Sequence, residues 1–184
     1  LWEALDNTVR AISDIVDITG SNPIGVVGYD SDARDKPISA LNLRSMRSES
    51  FRTIRTNLSF VDVDSPPKVM VISSALPNEG KTTTALNLAI TFAQAGHRVC
   101  LVEADLRKPR VADYLGVEGG IGLTNVLAGQ NSIEECLVSW NRGMLEVLPS
   151  GPIPPNPSEL LASAQMGHLL EHLREAFDYV VIDG

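Results

Sequence analysis

Only two cysteines, Cys100 and Cys136, occur in the 184 residues, and neither has a CxxC partner or a histidine pattern beside it. That excludes a disulfide framework and a thiolate metal site and leaves two reduced, buried thiols in a cytosolic setting as the simplest reading. Basic residues are also scarce, 15 against 23 acidic ones for a formal net charge of -8, and the densest basic stretch is the short Arg107, Lys108, Arg110 cluster. Phosphate-backbone binding needs a basic face, so no nucleic-acid partner is expected. No apolar run approaches the ~20 residues that cross a bilayer, and no signal peptide is visible, so the segment reads as soluble. An initiating Met is missing as well. The chain starts at Leu1 and stops at Gly184 just behind an apolar run, which reads as a piece of something longer.

What is present suits one domain, or one domain with a tail, and the 43% hydrophobic residues can fill a sizeable core. Helical spacing of Leu1, Leu5 and Val9 predicts a helix over 1–9, and Ser13, Asp14 and Gly20 bracket a second over 14–19. Residues 24–27 read as a short strand and 29–40 as a linker or exposed loop. A helix is expected over 43–60, with Phe51, Ile54 and Leu58 on one stripe and Glu49, Arg52 and Arg55 on an adjacent face. Past Pro66-Pro67, the unalternating run Val69, Met70, Val71, Ile72 looks like a parallel strand buried on both faces. The order then repeats: helix 81–95, strand 99–102, short helices over 111–115, 123–127 and 133–138, and strand 145–148. A Pro-rich crossing leads to helices 158–162 and 166–177 and a last strand, 179–182. Strands alternating with helices predict an open, mostly parallel α/β sheet flanked by helices.

The strongest chemical signal is Ala75-Leu76-Pro77-Asn78-Glu79-Gly80-Lys81-Thr82, which follows a strand and opens a helix. A phosphate needs inward-pointing backbone N–H groups, a positive helix N-terminus and a lysine that reaches the outer phosphates, and this spacing supplies all three. Lys81 would hold the β and γ phosphates of ATP, the Thr82 hydroxyl would bind Mg²⁺, and Thr83 completes the loop. Ala75 replaces the first Gly of GxxxxGK, which is tolerable at negative φ. Asn78 is suited to positive φ. A second strand ends in Val102-Glu103-Ala104-Asp105, where carboxylates lie at the crevice in which open α/β sheets bind ligands. There Asp105 could hold Mg²⁺ through water, and Glu103 could take a proton from a substrate hydroxyl. Finally, Tyr179-Val180-Val181-Ile182-Asp183 matches a Walker B strand whose carboxylate holds Mg²⁺.

These three elements resemble the Walker A, A′ and B motifs of the bacterial tyrosine kinases. SSALPNEGKTTTALNLA resembles the family's SSxxPGEGKTTxxxNLA, and VCLVEADLRKPR resembles its strand ending in DADLRxP. GLTNVLAGQ and LPSGPIPPNPSELLAS also look like family segments, and the ordered set covers residues 41–184. The resemblance implies a P-loop NTPase-type kinase domain over 41–184, cut off after the Walker B strand, behind a juxtamembrane segment and linker over 1–40. It implies Mg-ATP-dependent autophosphorylation on tyrosine, coupled to capsule or exopolysaccharide synthesis and export. Catalysis would fall to Lys81, Glu103, Asp105 and Asp183, and metal binding to Thr82, Asp105 and Asp183. Glu49, Arg52 and Arg55 match ExxRxxR, which implies contact between neighbours in a homo-oligomeric ring. The polysaccharide-export membrane domain would normally lie in cis, at the cytoplasmic face of the membrane. Glu103 stands where the family has Asp, Asn78 where it has Gly, and Gly184 where a Ser or Thr commonly follows.

Two other readings stay open. A ParA/MinD-type ATPase places a signature lysine five residues before the P-loop lysine, and here that position is Leu76; iron-sulfur carriers of that group show CxxC, which is absent. A non-catalytic chain-length regulator would bind nucleotide and oligomerise without phosphorylating tyrosine.

Overall fold

The computed structural model describes residues 11–29, 37–42, 44–62 and 66–184. Its elements in chain order are α1 (Ile12–Thr19), α2 (Met46–Leu58), β1 (Val69–Ile72), α3 (Lys81–Gln94), β2 (Val99–Glu103), α4 (Val111–Leu115), α5 (Leu123–Leu127) and α6 (Ile133–Cys136). There follow β3 (Val138–Trp140), β4 (Leu145–Leu148), α7 (Pro157–Leu161), α8 (Ala164–Ala176) and β5 (Tyr179–Asp183). The expected helix over 1–9 lies outside the described residues.

The strands form one sheet in the order β1-β5-β2-β4-β3, parallel except for β3, which runs antiparallel to β4. β2 and β5 are the strands enclosed on both faces, and their residues alternate between two cores. Met70, Leu101, Val147 and Val181 pack beneath α3 and α4 with Leu86, Ile90 and Phe92, while Cys100, Val102, Val180 and Ile182 meet Leu123, Leu127, Leu169 and Leu173 from α5 and α8. Fully burying an aliphatic or aromatic side chain of this kind stabilises by about 1.5–3 kcal/mol, so these two layers hold the sheet. β1 departs from expectation. It sits at the edge, and Val71 is 62% exposed while Val69 on the same face is partly buried against the second core, so this run is less completely enclosed than expected.

Helix α3 is enclosed from Ala85 through Phe92, including the polar Asn87 and Thr91. The sheet covers one side; α2 and residues 37–40 cover the other. Asn87 makes that second contact possible. Its Oδ1 accepts from Ser39 N at 2.7 Å, Ser39 Oγ at 3.0 Å and Ala40 N at 2.7 Å, and its Nδ2 donates to Pro37 O and Thr83 O, each at 2.7 Å. The end of the expected exposed loop is thus part of the packed fold, with Ala40 fully buried. α2 begins where the Ser45 hydroxyl accepts from Ser48 N, and it turns Phe51 inward, with Ile54 and Leu58 against the first core. Leu43, where this helix was expected to begin, is outside the described residues.

Residues 24–27 are not a strand. The carbonyl of Ile24 accepts from Asn57 Nδ2 at 2.6 Å, and Gly25 lies so close to Ile54 that an added Cβ would sit 2.4 Å from its Cγ1. This stretch is fastened to α2 by a side chain and close packing, with no sheet ladder at hand. The helix expected over 133–138 ends at Cys136, and β3 begins two residues later. A turn with Asn141, Arg142 and Gly143 all at positive φ joins it to β4.

Candidate nucleotide and metal site

Chain order and spatial order differ in one respect that builds the site. β5 lies between β1 and β2, with Ile72 and Glu103 both in register with Asp183. Pairing continues one step further, through Ala104 N to Asp183 O at 2.8 Å and Gly184 N to Ile72 O at 3.1 Å. The loops leaving β1 and β2 therefore flank the end of β5, and three segments distant in sequence meet at one sheet edge.

The loop after β1 has the backbone shape expected of a phosphate cradle. Asn78 adopts φ 67° and Gly80 φ 86°, the left-handed conformations that turn successive N–H groups inward, and Ala75 stays out of that region. Open space faces the Gly80 Cα where a Cβ would stand. Inside the loop, Glu79 Oε2 accepts from Leu76 N at 3.0 Å, and Ser74 Oγ donates to Leu76 O at 3.0 Å. Gly80 then opens α3, whose first two residues are Lys81 and Thr82.

Lys81 Nζ lies 2.5 Å from Asp105 Oδ2 and 3.6 Å from Asp183 Oδ1. Asp105 Oδ1 also accepts from Arg107 N at 3.2 Å and Lys108 N at 3.0 Å. Burial alone would raise the Asp105 carboxyl, but the Lys81 ammonium and these backbone N–H groups outweigh it and hold it below the usual carboxylate range. Asp183 is the reverse case. Its removal from water pushes the carboxyl up, and the Thr82 hydroxyl and Lys81 only partly offset this. Thr82 is close enough to act on the charge without completing a hydrogen bond, and both buried Asp183 oxygens lack a hydrogen-bond partner. A carboxylate left in that state is what a cation site offers before the cation arrives.

Mg²⁺ and a nucleoside triphosphate fit these residues. Asp183 has the orphaned oxygens, Asp105 and Thr82 stand beside it, and the loop 75–83 supplies the cradle. Among the described residues no group of three or more His, Cys, Asp or Glu is arranged to hold a metal. Mg²⁺ keeps several waters and shares its ligands with substrate phosphates, so two carboxylates and a hydroxyl are an adequate donor set for it. A shallow recess lined by Val126, Ile133, Gln165, His168, Leu169 and His172 contains none of these groups.

Glu103, the expected proton acceptor, is engaged by backbone N–H groups. It is fully buried, and its Oε1 accepts from Arg110 N and from Val111 N (2.5 Å), its Oε2 from Ser150 N (3.1 Å). A base needs an oxygen within reach of the substrate hydroxyl; in the nucleotide-free chain three backbone N–H groups already bond this carboxylate.

A family model described as an AAA domain matches residues 68–184. Tyrosine-protein kinase YwqD of Bacillus subtilis is 49% identical over 140 residues, 76% of this chain and 59% of that protein. Among solved structures, the chimerical protein CapA2B2 is 34% identical with TM-score 0.82, covering 94% of this chain and 74% of that one. The kinase domain of Escherichia coli tyrosine kinase ETK is 26% identical with TM-score 0.87, covering 96% and 73%. The chain belongs to the bacterial tyrosine kinase family. As a bacterial tyrosine kinase relative it has the family's mostly parallel α/β P-loop fold, and it spans about three-fifths of the length of relatives such as YwqD and about one-fifth of longer ones such as the tyrosine-protein kinase wzc of Salmonella typhimurium.

The remaining motif of this family member, Glu49-Arg52-Arg55, lies on α2. Glu49 is exposed and ion-pairs with Arg52, whose Nη2 also reaches Ser48 Oγ at 3.1 Å, while Arg55 Nη1 donates to Thr91 O at 3.1 Å. Asn87 and Ser150 are the site-supporting residues that motif reading missed. Asn87 carried a signal, a lone amide within the apolar stretch of a helix; Ser150 is used only through its backbone and carried none. No helix among the described residues is long and apolar enough to cross a membrane.

Proposed function

We propose that this chain is the ATP-binding part of a protein-tyrosine kinase that autophosphorylates and thereby regulates capsular or exopolysaccharide synthesis and export. The observation that carries this reading is the meeting of Lys81, Asp105 and Asp183 at the mouth of a P-loop, with the buried Asp183 oxygens lacking any hydrogen bond. Phosphoryl transfer rests on positioning and electrostatic stabilisation, and the residues divide along those lines. Residues 75–83 hold the phosphates by their N–H groups, Lys81 exchanges its carboxylate partners for the outer phosphates, and Thr82, Asp105 and Asp183 hold Mg²⁺. Bound Mg²⁺ supplies neutralisation of the negative charge that gathers on the phosphate oxygens.

In the same reading, residues 1–40 are the juxtamembrane segment and linker, and 41–184 the kinase domain. Glu49, Arg52 and Arg55 face a neighbouring copy in a homo-oligomeric ring, and a polysaccharide-export membrane domain in cis holds the assembly at the cytoplasmic face of the membrane. The relatives named as tyrosine-protein kinases support the activity. The test is incubation with Mg²⁺ and ATP labelled at the γ-phosphate. Label on tyrosine that vanishes in Lys81→Met supports the kinase. ATP hydrolysis without labelled protein supports a P-loop ATPase, and ring assembly untouched by Lys81→Met with no label supports a non-catalytic regulator.

A further inference from the structure

The buried Glu103 is the one carboxylate of the motif strands that the phosphate and metal reading leaves without work. It is the last residue of β2, on the same face as Asp183, and it is fully enclosed. Its carboxylate joins two separate loops. Oε1 accepts from Arg110 N and Val111 N at the start of α4; Oε2 accepts from Ser150 N, just past β4. Between Glu103 and Arg110 runs the short loop that carries Asp105, itself folded back onto Arg107 N and Lys108 N. Both ends of the Asp105 loop are thereby fixed, one by the strand and the other by Glu103. A carboxylate accepting three N–H groups in an enclosed site is a strong fastening, since charge-assisted hydrogen bonds are about twice as strong as neutral ones. The geometry also gives a reason for Glu where the related motif has Asp: the extra methylene lets one carboxylate span from β2 to both loops.

We infer that Glu103 is a positioning residue, which sets Asp105 for the metal by clamping the 104–110 loop to the loop after β4. The inference rests on the kinase reading for what Asp105 does, while the clamp itself is a property of the nucleotide-free chain. Groups that orient metal ligands typically change metal affinity 10–100-fold when removed.

The test uses Glu103→Gln, whose amide turns a donor toward N–H groups, and Glu103→Asp, which is too short to span both loops. Amide hydrogen exchange is measured first, without nucleotide. Exchange at Arg110, Val111 and Ser150 should accelerate about tenfold or more in both variants, with a cooperative melt retained at least in Glu103→Asp. ATP affinity is then measured with and without Mg²⁺. The Mg²⁺-dependent gain in affinity should fall about tenfold, while affinity without Mg²⁺ stays at the wild-type level, because the 75–83 loop is untouched. Unchanged exchange at the three amides overturns the clamp. Full Mg-ATP affinity with phosphoryl transfer alone abolished overturns it too, since that is the signature of a proton acceptor. If the wild-type chain itself gains nothing from Mg²⁺, the kinase reading fails, and the exchange measurement still decides the clamp.

Discussion

At the scale of single residues, the site is held in a state that favours its ligands over its own stability. Asp183 is buried with neither oxygen hydrogen-bonded, and its carboxyl is pushed up chiefly by loss of water, which the Lys81 ammonium 3.6 Å away only partly offsets. A buried charge so incompletely compensated opposes folding. Replacing Asp183 by Asn keeps the shape and removes the charge, so the nucleotide-free protein should gain about 1 kcal/mol, or roughly 2–4 °C in melting temperature for a chain of this size. The same variant should lose the Mg²⁺-dependent part of ATP affinity. Differential scanning calorimetry checks the first effect, and a variant less stable than wild type would contradict it. Residue types at this scale were legible where the backbone asks for one chemistry. Asn78 was assigned to positive φ from its place in the loop, and it adopts 67°. Glu103 was not legible as a clamp, because its partners are the N–H groups of Arg110, Val111 and Ser150, and a backbone donor leaves no trace in a side-chain pattern.

Between elements, one side chain does most to join the P-loop helix to residues 37–40. Four of the five side-chain hydrogen bonds of Asn87 fasten residues 37–40 to α3, and Gln94 Nε2 adds a bond to Ala40 O at 3.0 Å. Asn87→Leu leaves the N–H groups of Ser39 and Ala40 buried without an acceptor, at about 1–3 kcal/mol for each unsatisfied group. We expect a loss of about 2–4 kcal/mol in urea unfolding, with faster amide exchange across 37–40 and α2; exchange confined to α3 would contradict the account. Elements defined by a long apolar face, such as α2, α3 and α8, were readable to within a few residues. The misses share a cause. β3 has three residues, too few to show alternation, and it is fixed by pairing with β4 and by Trp140 Nε1 donating to Leu115 O at 3.1 Å. Residues 24–27 have strand-like composition, but α2 is what they meet.

For the molecule as a whole, the insertion of β5 between β1 and β2 decides where the chemistry lies, and no local pattern records it. The parallel sheet was foreseeable from alternating strands and helices, and the convergence of three motifs was foreseeable from what such motifs must bind; the register that sets Ile72, Asp183 and Glu103 level is a property of the assembled sheet. The opposite end of the sheet is tied by Asp178, whose carboxylate accepts from Arg98 N at 2.8 Å and Arg98 Nη2 at 2.9 Å. The hydrogen bond from the Arg98 side chain, with the backbone bond beside it, holds the Asp178 carboxyl below its ordinary range. A carboxyl lowered in the folded state contributes stability in full above its unfolded value near 3.9 and loses it as pH falls through the lowered folded value. Urea midpoints of wild type and Asp178→Asn should therefore differ at pH 7 and converge in strong acid, and a gap that persists there would show that the pair acts through something other than charge.

The central claim is that Lys81, Asp105 and Asp183 serve one Mg²⁺-triphosphate site, and calorimetric titration of ATP into the protein, with and without Mg²⁺, tests it most directly. The account expects ATP to bind more tightly with Mg²⁺ present, Lys81→Met to weaken binding at least about tenfold in either condition, and Asp183→Asn to abolish only the Mg²⁺-dependent gain. ATP affinity indifferent to Mg²⁺ and unchanged by both substitutions would contradict it.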